Sequence, residues 1–284
     1  MRRRRLAAVL VVLALAATWL AAETFWIGPG RLVVRDVALE PPKWPDALDG
    51  LKIALLSDLH TGSPRNGPAN LARVVDATNA VRPDLVLLAG DFVIHDVIGG
   101  TFVEPEAIAR ELARLEAPLG VFAVLGNHDW WLSATRVREA LETHGIAVID
   151  DRAARLTWKD ATFYLAGISD YWEGPHDVRA ALAQVPEDAT ILALTHNPDV
   201  LPDIPSRVSL TLAGHTHGGQ VDLPLLGRLV VPSRRIYAFG HVVDEGRHVY
   251  VTSGVGTSIL PVRFRVPPEI SVLTLRAQPG DRDK

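Results

Sequence analysis

Leu51-Lys52-Ile53-Ala54-Leu55-Leu56-Ser57-Asp58-Leu59-His60 runs from an almost unbroken apolar stretch into a carboxylate and an imidazole two residues apart. Such a run, bounded by a polar turn, reads as a strand covered on both faces, as in a parallel sheet. The pattern recurs along the chain. Asp84 to Ala89 ends in Gly90-Asp91, and Gly120 to Leu125 ends in Gly126-Asn127-His128-Asp129. Thr190 to Leu194 ends in Thr195-His196-Asn197, and Val208 to Leu212 leads to Gly214-His215-Thr216-His217. Pro68 to Val81, with Leu71, Val74, Val75 and Thr78 on one face, reads as a helix, as do Glu104 to Leu115 and about Ala134 to Thr143 before Gly145. Strands alternating with helices imply an α/β layered domain. The second half is richer in strands: Ala161 to Ile168, His248 to Thr252 and Ile270 to Leu275 also look extended, with one helix at about His176 to Gln184.

Composition narrows the class. In 284 residues, 48% are hydrophobic and 22% charged, enough apolar material for a large core and incompatible with a disordered or low-complexity chain. The 29 basic and 33 acidic side chains give a net charge of -4, which argues against a general nucleic-acid binder. Without cysteine there are neither disulfides nor thiolate metal sites.

The N-terminus differs from the rest. Arg2 to Arg5 precede the apolar run Leu6 to Ala22, broken only by Thr18. That pattern fits a signal peptide, and its length also reaches the lower limit for spanning a bilayer, with Trp19, Phe25 and Trp26 where interfacial aromatics sit. Leu20-Ala21-Ala22 is a poor cleavage site, so an uncleaved signal anchor over residues 1–26 is favoured over a removed peptide. The paired arginines weakly match a twin-arginine export signal. The positive-inside rule keeps them cytoplasmic and places the rest outside, at the cell membrane as a single-pass protein or, after cleavage, in the periplasm or medium. Without Arg2 to Arg5 and Glu23, 25 basic groups face 32 acidic ones, so an anionic substrate must be met by local positive charge. Residues 27–50 are expected to be a linker and first strand, with Pro41-Pro42-Lys43-Trp44-Pro45 as the boundary, 51–276 one catalytic domain, and 277–284 a polar tail.

The strand-end residues point to metal chemistry. Carboxyl ends of strands in open α/β sheets line the ligand crevice, so distant loops can converge there. Carboxylate, imidazole and amide suit Mn, Fe and Zn, and a pair of such ions can clamp an in-line phosphoryl displacement. Taken singly, each block has a plainer explanation: Asp58-Leu59-His60 as a turn, Gly90-Asp91 as a strand end, Asn127 as a helix cap, His196 as a structural histidine. Their joint occurrence, each at a strand end, makes the plain explanations improbable.

Asp-x-His, Gly-Asp, Gly-Asn-His-Asp, His and Gly-His-x-His, in this order from Asp58 to His217, resemble the signature of the calcineurin-like metallophosphoesterase superfamily. The wording Ser57 to Gly62, Thr195 to Asp199, Gly214 to Gln220 and the tail from Tyr250 to Ile270 is similar to its membrane-associated bacterial branch. The resemblance implies a four-layer α/β/β/α sandwich with two mixed sheets, preceded here by one N-terminal apolar helix. It further implies two divalent metal ions, with Mn favoured over Fe or Zn. Asp58, His60 and His217 would hold the first and Asn127, His196 and His215 the second, with Asp91 bridging. His128 would assist the phosphate and leaving group, and Asp129 is a candidate to orient it. A metal-activated hydroxide would attack phosphorus. No Gly-x-Ser-x-Gly and no cysteine offers a covalent alternative.

Weaker features leave two readings each. His95 either lines the pocket or sits in a loop, and Trp130-Trp131 either flanks the substrate or belongs to the core. Arg263 and Arg265 either pair with phosphate or lie on the surface. Leu223 to Val231, followed by Arg234-Arg235, either touches lipid or forms a buried hairpin. The expected function is hydrolysis of a phosphodiester or pyrophosphate bond at a membrane surface, either in a lipid-linked or nucleotide-sugar substrate or as a promiscuous phosphodiesterase of small substrates. The alternative is a catalytically inactive metal-binding scaffold of the cell envelope.

Overall fold

The computed structural model describes residues 2–233 and 237–278; Arg234 and Arg235, and 279–284 of the expected polar tail, lie outside the described residues. The strands are β1 (Val33–Leu39), β2 (Leu51–Leu56), β3 (Leu85–Ala89), β4 (Val121–Val124), β5 (Ala147–Val148), β6 (Arg152–Trp158) and β7 (Ala161–Ile168). They continue as β8 (Ile191–Thr195), β9 (Leu210–Ala213), β10 (Gly240–Asp244), β11 (Arg247–Val251) and β12 (Glu269–Leu275). One six-stranded sheet has the order β1-β12-β2-β3-β4-β5, the other β10-β11-β9-β8-β7-β6. Both are mixed: β12 runs antiparallel to β2 while β2, β3, β4 and β5 are parallel, and β7, β8, β9 and β11 are parallel between antiparallel edges.

Alternation along each strand builds the layers. Ala54, Leu56, Val86 and Leu88 face outward under the helices, against Leu71, Val75, Ile108, Leu112, Val137 and Leu141. Their neighbours Ile53, Leu55, Leu85 and Leu87 face inward and meet Leu192, Leu194, Leu210 and Leu212 of the second sheet. Ala166, Ile168, Ile191 and Ala193 turn the other way, beneath Ala181, Leu182, Val200 and Ile204. These three packed interfaces make four layers, α/β/β/α, as expected.

The segment 27–50 holds the expected first strand. β1 pairs along its length with β12, and Trp44 is buried between the sheets, its indole N–H donating to the Leu48 carbonyl at 3.1 Å. One tryptophan and one edge pairing thus tie this segment to the core. The third long helix begins at Asn127 rather than near Ala134. Ser133, at φ 176 and ψ 105, interrupts it, so the apolar period restarts there and hides the first turns. The edge strands β6 and β10, half exposed, lack the apolar runs that identify the central ones.

The N-terminal helix Arg2–Ala22 has no residue buried against the other described residues. It continues through a π-helical turn, Glu23–Ile27, to Gly30, and is long and apolar enough to be a membrane span or signal.

Candidate metal centre

Five of the strand-end residues sit at left-handed φ: Asp58 (51°), His60 (36°), Asp91 (57°), His215 (68°) and His217 (51°). Each such position in a non-glycine residue costs about 1–3 kcal/mol and persists only where the surroundings over-determine it. Here they do. Asp58 N–H donates to the Gly90 carbonyl at 2.9 Å, His60 N–H to the Asp91 carbonyl at 2.9 Å, and Gly256 N–H to the Asp58 carbonyl at 2.7 Å. Glycine is obligatory beside them. A Cβ on Gly214 would lie 1.8 Å from Ser57 Oγ, and one on Gly126 2.3 Å from Asp91 Oδ1.

The side chains converge on two points that share one oxygen. Around the first, His60 Nε2 is 3.1 Å from His217 Nε2 and 3.4 Å from Asp91 Oδ2, and His217 Nε2 is 3.3 Å from Asp58 Oδ1. Around the second, His196 Nε2 is 3.3 Å from Asp91 Oδ2, 3.2 Å from Asn127 Oδ1 and 3.0 Å from His215 Nδ1. Ligand bonds of about 2.0–2.2 Å produce ligand–ligand edges of about 3.0–3.4 Å in tetrahedral or octahedral shells. Both sets match that spacing.

Tautomers and orphaned atoms agree with cation binding. His60 Nδ1 is 3.1 Å from the Val93 carbonyl and His196 Nδ1 is 2.7 Å from the Ala89 carbonyl, so each donates there and turns its Nε2 inward. Burial lowers the basicity of His196, but the Asp91 carboxylate more than offsets this and holds it well above the usual imidazole range, so a positive charge, a proton or a metal cation in its place, is drawn to its Nε2. Burial lowers His60 to about 3 and holds His215 and His217 well below the usual imidazole range, so all three are neutral, the ligating form. Burial also pushes the Asp58 carboxyl up, and its Oδ1 is buried without a hydrogen-bond partner. His128 lies near both His60 and Asp91, with ligand atoms within 4.8 Å of one another, so geometry alone also permits it a place beside a metal.

A cavity of about 630 Å³ opens over this cluster. His128 faces it, 4.6 Å (ring centroids) from both His60 and Trp131, and its basicity is lowered by burial. His95 lines the cavity too, 5.8 Å from Trp131.

Three expected site residues take other places. Asp129 does not orient His128. Its carboxylate accepts from the backbone N–H of Asp91 (2.8 Å), Phe92 (2.9 Å), Val93 (3.3 Å) and Gly126 (2.9 Å), fixing the loop that carries Asp91. Arg263 does not reach the cavity. It is fully buried, and its guanidinium donates to the carbonyls of Gly256, Val266, Pro267, Ser253 and Gly254. Trp130 packs into the helix-side core, while its neighbour Trp131 lines the cavity. Trp172 went unread: its ring meets His215 edge-on at 4.3 Å from the opposite wall. The signal was present, since Ser169-Asp170 follows the apolar run of β7 as the other polar pairs follow theirs.

The calcineurin-like phosphoesterase family profile matches residues 51–242, which hold every convergent side chain from Asp58 to His217. The uncharacterized metallophosphoesterase YkuE of Bacillus subtilis is 32% identical over 256 residues, covering 89% of this chain and 88% of its own. Phosphodiesterase YaeI of Escherichia coli is 34% identical over 233 residues, 79% of this chain and 82% of its own. UDP-2,3-diacylglucosamine pyrophosphatase LpxG of Chlamydia trachomatis is 26% identical, covering 92% and 94%.

Proposed function

Since this chain belongs to the calcineurin-like phosphoesterase family, we propose that it hydrolyses a phosphodiester or pyrophosphate bond at a membrane surface with two divalent cations. The observation that carries this reading is the sharing of Asp91 Oδ2 between two sets of ligand atoms, one with His60 and the other with His196. Asp58, His60, His217 and Asp91 would hold one cation; Asp91, Asn127, His196 and His215 the other. Two carboxylates and neutral imidazole and amide donors carry a charge of 2−, so a 4+ load leaves net positive charge for a phosphoester in an otherwise acidic domain. Bound there, the cations supply Lewis acidity and lower the pKa of water.

The chain's own groups do the rest. His128 N–H donates to Asp91 Oδ1 at 2.9 Å, which turns Oδ2 to the shared position. The His128 ring, facing the cavity, donates a proton or hydrogen bond to the departing oxygen. Trp131 packs against that ring and fixes its orientation. YaeI and LpxG, by their names, act on a phosphodiester and on a nucleotide-linked lipid pyrophosphate, which favours those bonds here. The N-terminal apolar helix, opening on Arg2 to Arg5, supports a tethered enzyme outside the cytoplasm under the positive-inside rule.

The test is a panel of monoester, diester, nucleotide-sugar and lipid-linked substrates with metal-stripped protein and added Mn, Fe or Zn. Turnover is expected only with metal, at two ions per chain; full turnover in chelated, metal-analysed protein overturns the reading. Protease added to spheroplasts is expected to digest the domain, and a protected domain reverses the orientation.

A further inference from the structure

The mouth of the cavity is lined with aliphatic side chains that no other described residue covers. A turn closed by a bridge between Leu223 and Gly227 lifts Leu225 and Leu226 into solvent, Leu226 at 66% exposure. Leu229 and Val230 follow it, exposed as well and lining the cavity. Ile259, 68% exposed, and Leu260 project from the facing segment. Hydrogen bonds make these one surface. The Gln220 amide donates to the Ser258 carbonyl at 3.2 Å and its oxygen accepts from Ser258 N–H at 2.9 Å, while Asp222 N–H donates to the Phe264 carbonyl at 3.0 Å. A contiguous apolar patch around a cavity marks an interaction surface, unlike single exposed aliphatics. The readings left open for Leu223 to Val231 therefore part: within the described residues this hairpin is not buried.

The N-terminal helix indicates what covers the patch. Over Arg2–Ala22 its apolar surface runs all round and is buried against no described residue, as lipid exposure requires. Its last turns are wedged against the base of the same rim. Arg263 N–H donates to the Thr24 carbonyl at 3.0 Å, and a Cβ on Gly28 would lie 2.1 Å from the Arg263 carbonyl oxygen. The Arg65 guanidinium stacks on Trp26 at 4.2 Å, an interfacial aromatic held to the domain. Arg263 follows Leu260 by three residues, so the helix leaves the bilayer beside the exposed aliphatics.

Building on the membrane-associated phosphoesterase reading, we propose that the rim around Leu225, Leu226, Ile259 and Leu260 inserts into the headgroup–acyl boundary of the leaflet the helix leaves. The cavity then opens onto lipid and takes an amphiphilic phosphoester, its phosphate over the metal ligands and its hydrocarbon chain along Leu229, Val230 and Ile259. The cavity has this polarity already, with donors on its floor and aliphatic side chains toward its mouth.

The cysteine-free chain permits a clean test on the full-length protein in nanodiscs. Bimane is attached to L226C, to I259C and to E187C, the last on the loop before β8, at the opposite end of the strands from the site. Lipid-borne nitroxide is expected to quench the first two probes and leave the third unaffected. Equal, water-like emission at all three overturns the proposal, and so does a blue shift without nitroxide quenching, which would mean a protein covers the rim. A second arm compares L225D/L226D with the wild type on a water-soluble aryl phosphodiester and on a diacyl phosphodiester embedded in vesicles. Vesicle hydrolysis is expected to fall about tenfold or more with soluble hydrolysis unchanged. Unchanged hydrolysis of both overturns the rim. Failure of the metal-loaded wild type on every ester would instead overturn the phosphoesterase reading, while the quenching arm still judges the rim.

Discussion

At the floor of the cavity Asp58, His60, Asp91, His196, His215 and His217 are all buried, and Asp58 Oδ1 has no hydrogen-bond partner among the described residues. At its mouth Leu226, Leu229, Val230 and Ile259 stand in solvent with nothing polar to offer. Each region inverts the usual placement, polar groups inside and aliphatic groups outside, and each inversion is costly without a ligand of matching chemistry. The floor holds its strain through backbone hydrogen bonds and glycines that leave no room for a Cβ, so it is specified atom by atom. The rim is specified only by its apolar character. Substitutions should therefore act categorically at the floor and by degree toward the mouth.

The largest effect is expected at Asp91, whose one oxygen serves both ligand sets. Asp91→Ala should lose nearly all bound metal and all turnover, whereas His60→Ala should keep about half the metal, since it serves one position. Elemental analysis of the purified variants decides this, and two metals per chain in Asp91→Ala would remove the shared oxygen from the scheme.

Next comes His128, between floor and mouth. His128→Ala should retain both metals yet lose about 10²–10⁴-fold in kcat, with a smaller loss on esters of good leaving groups. Loss of metal would instead place His128 among the ligands, as its proximity to His60 and Asp91 allows.

Trp172, on the wall against His215, should matter less. Trp172→Ala removes an aromatic contact worth about 0.5–1.5 kcal/mol, so kcat/KM is expected to drop about two- to tenfold with metal content intact. A drop as large as that of His128→Ala would move Trp172 into the catalytic apparatus.

At Arg263 no direct effect on substrate binding is expected. Arg263→Lys keeps the charge but loses the fork that holds five carbonyls, so thermal unfolding should show a loss of about 2–4 kcal/mol. The KM of the folded, metal-loaded variant should be unchanged; a raised KM would return Arg263 to the phosphate.

The candidate ligand residues were legible in the sequence because the chemistry tolerates few residue types and each stands directly after a buried strand. Leu85 to Ala89 needs no neighbour to be recognised as a strand, and Gly90-Asp91 then falls at its carboxyl end wherever the strand lies. The supporting residues were harder to read. Asp129 adjoins His128 in sequence, yet its oxygens turn to the Asp91 loop, a partnership made only by the packing of β3 beside β4. Arg263 fits neither of its two sequence readings, phosphate ligand or surface residue, because only folding surrounds it with carbonyls. Trp130 and Trp131 are adjacent in the chain, and the helix they share sends one inward and the other to the cavity.

What the sequence by itself determined is the set of covered strands, the layered α/β class and the donor atoms at the strand ends, because strand periodicity and ligand type are local properties of the chain. The tertiary structure alone decided which donors share an oxygen, which carboxylate braces a loop rather than an imidazole, that the segment 33–48 belongs to the core, and that the apolar helix ends beside an apolar cavity mouth. Those are distances between residues far apart in sequence, fixed by how two sheets stack and where their loops meet, and no local pattern encodes them.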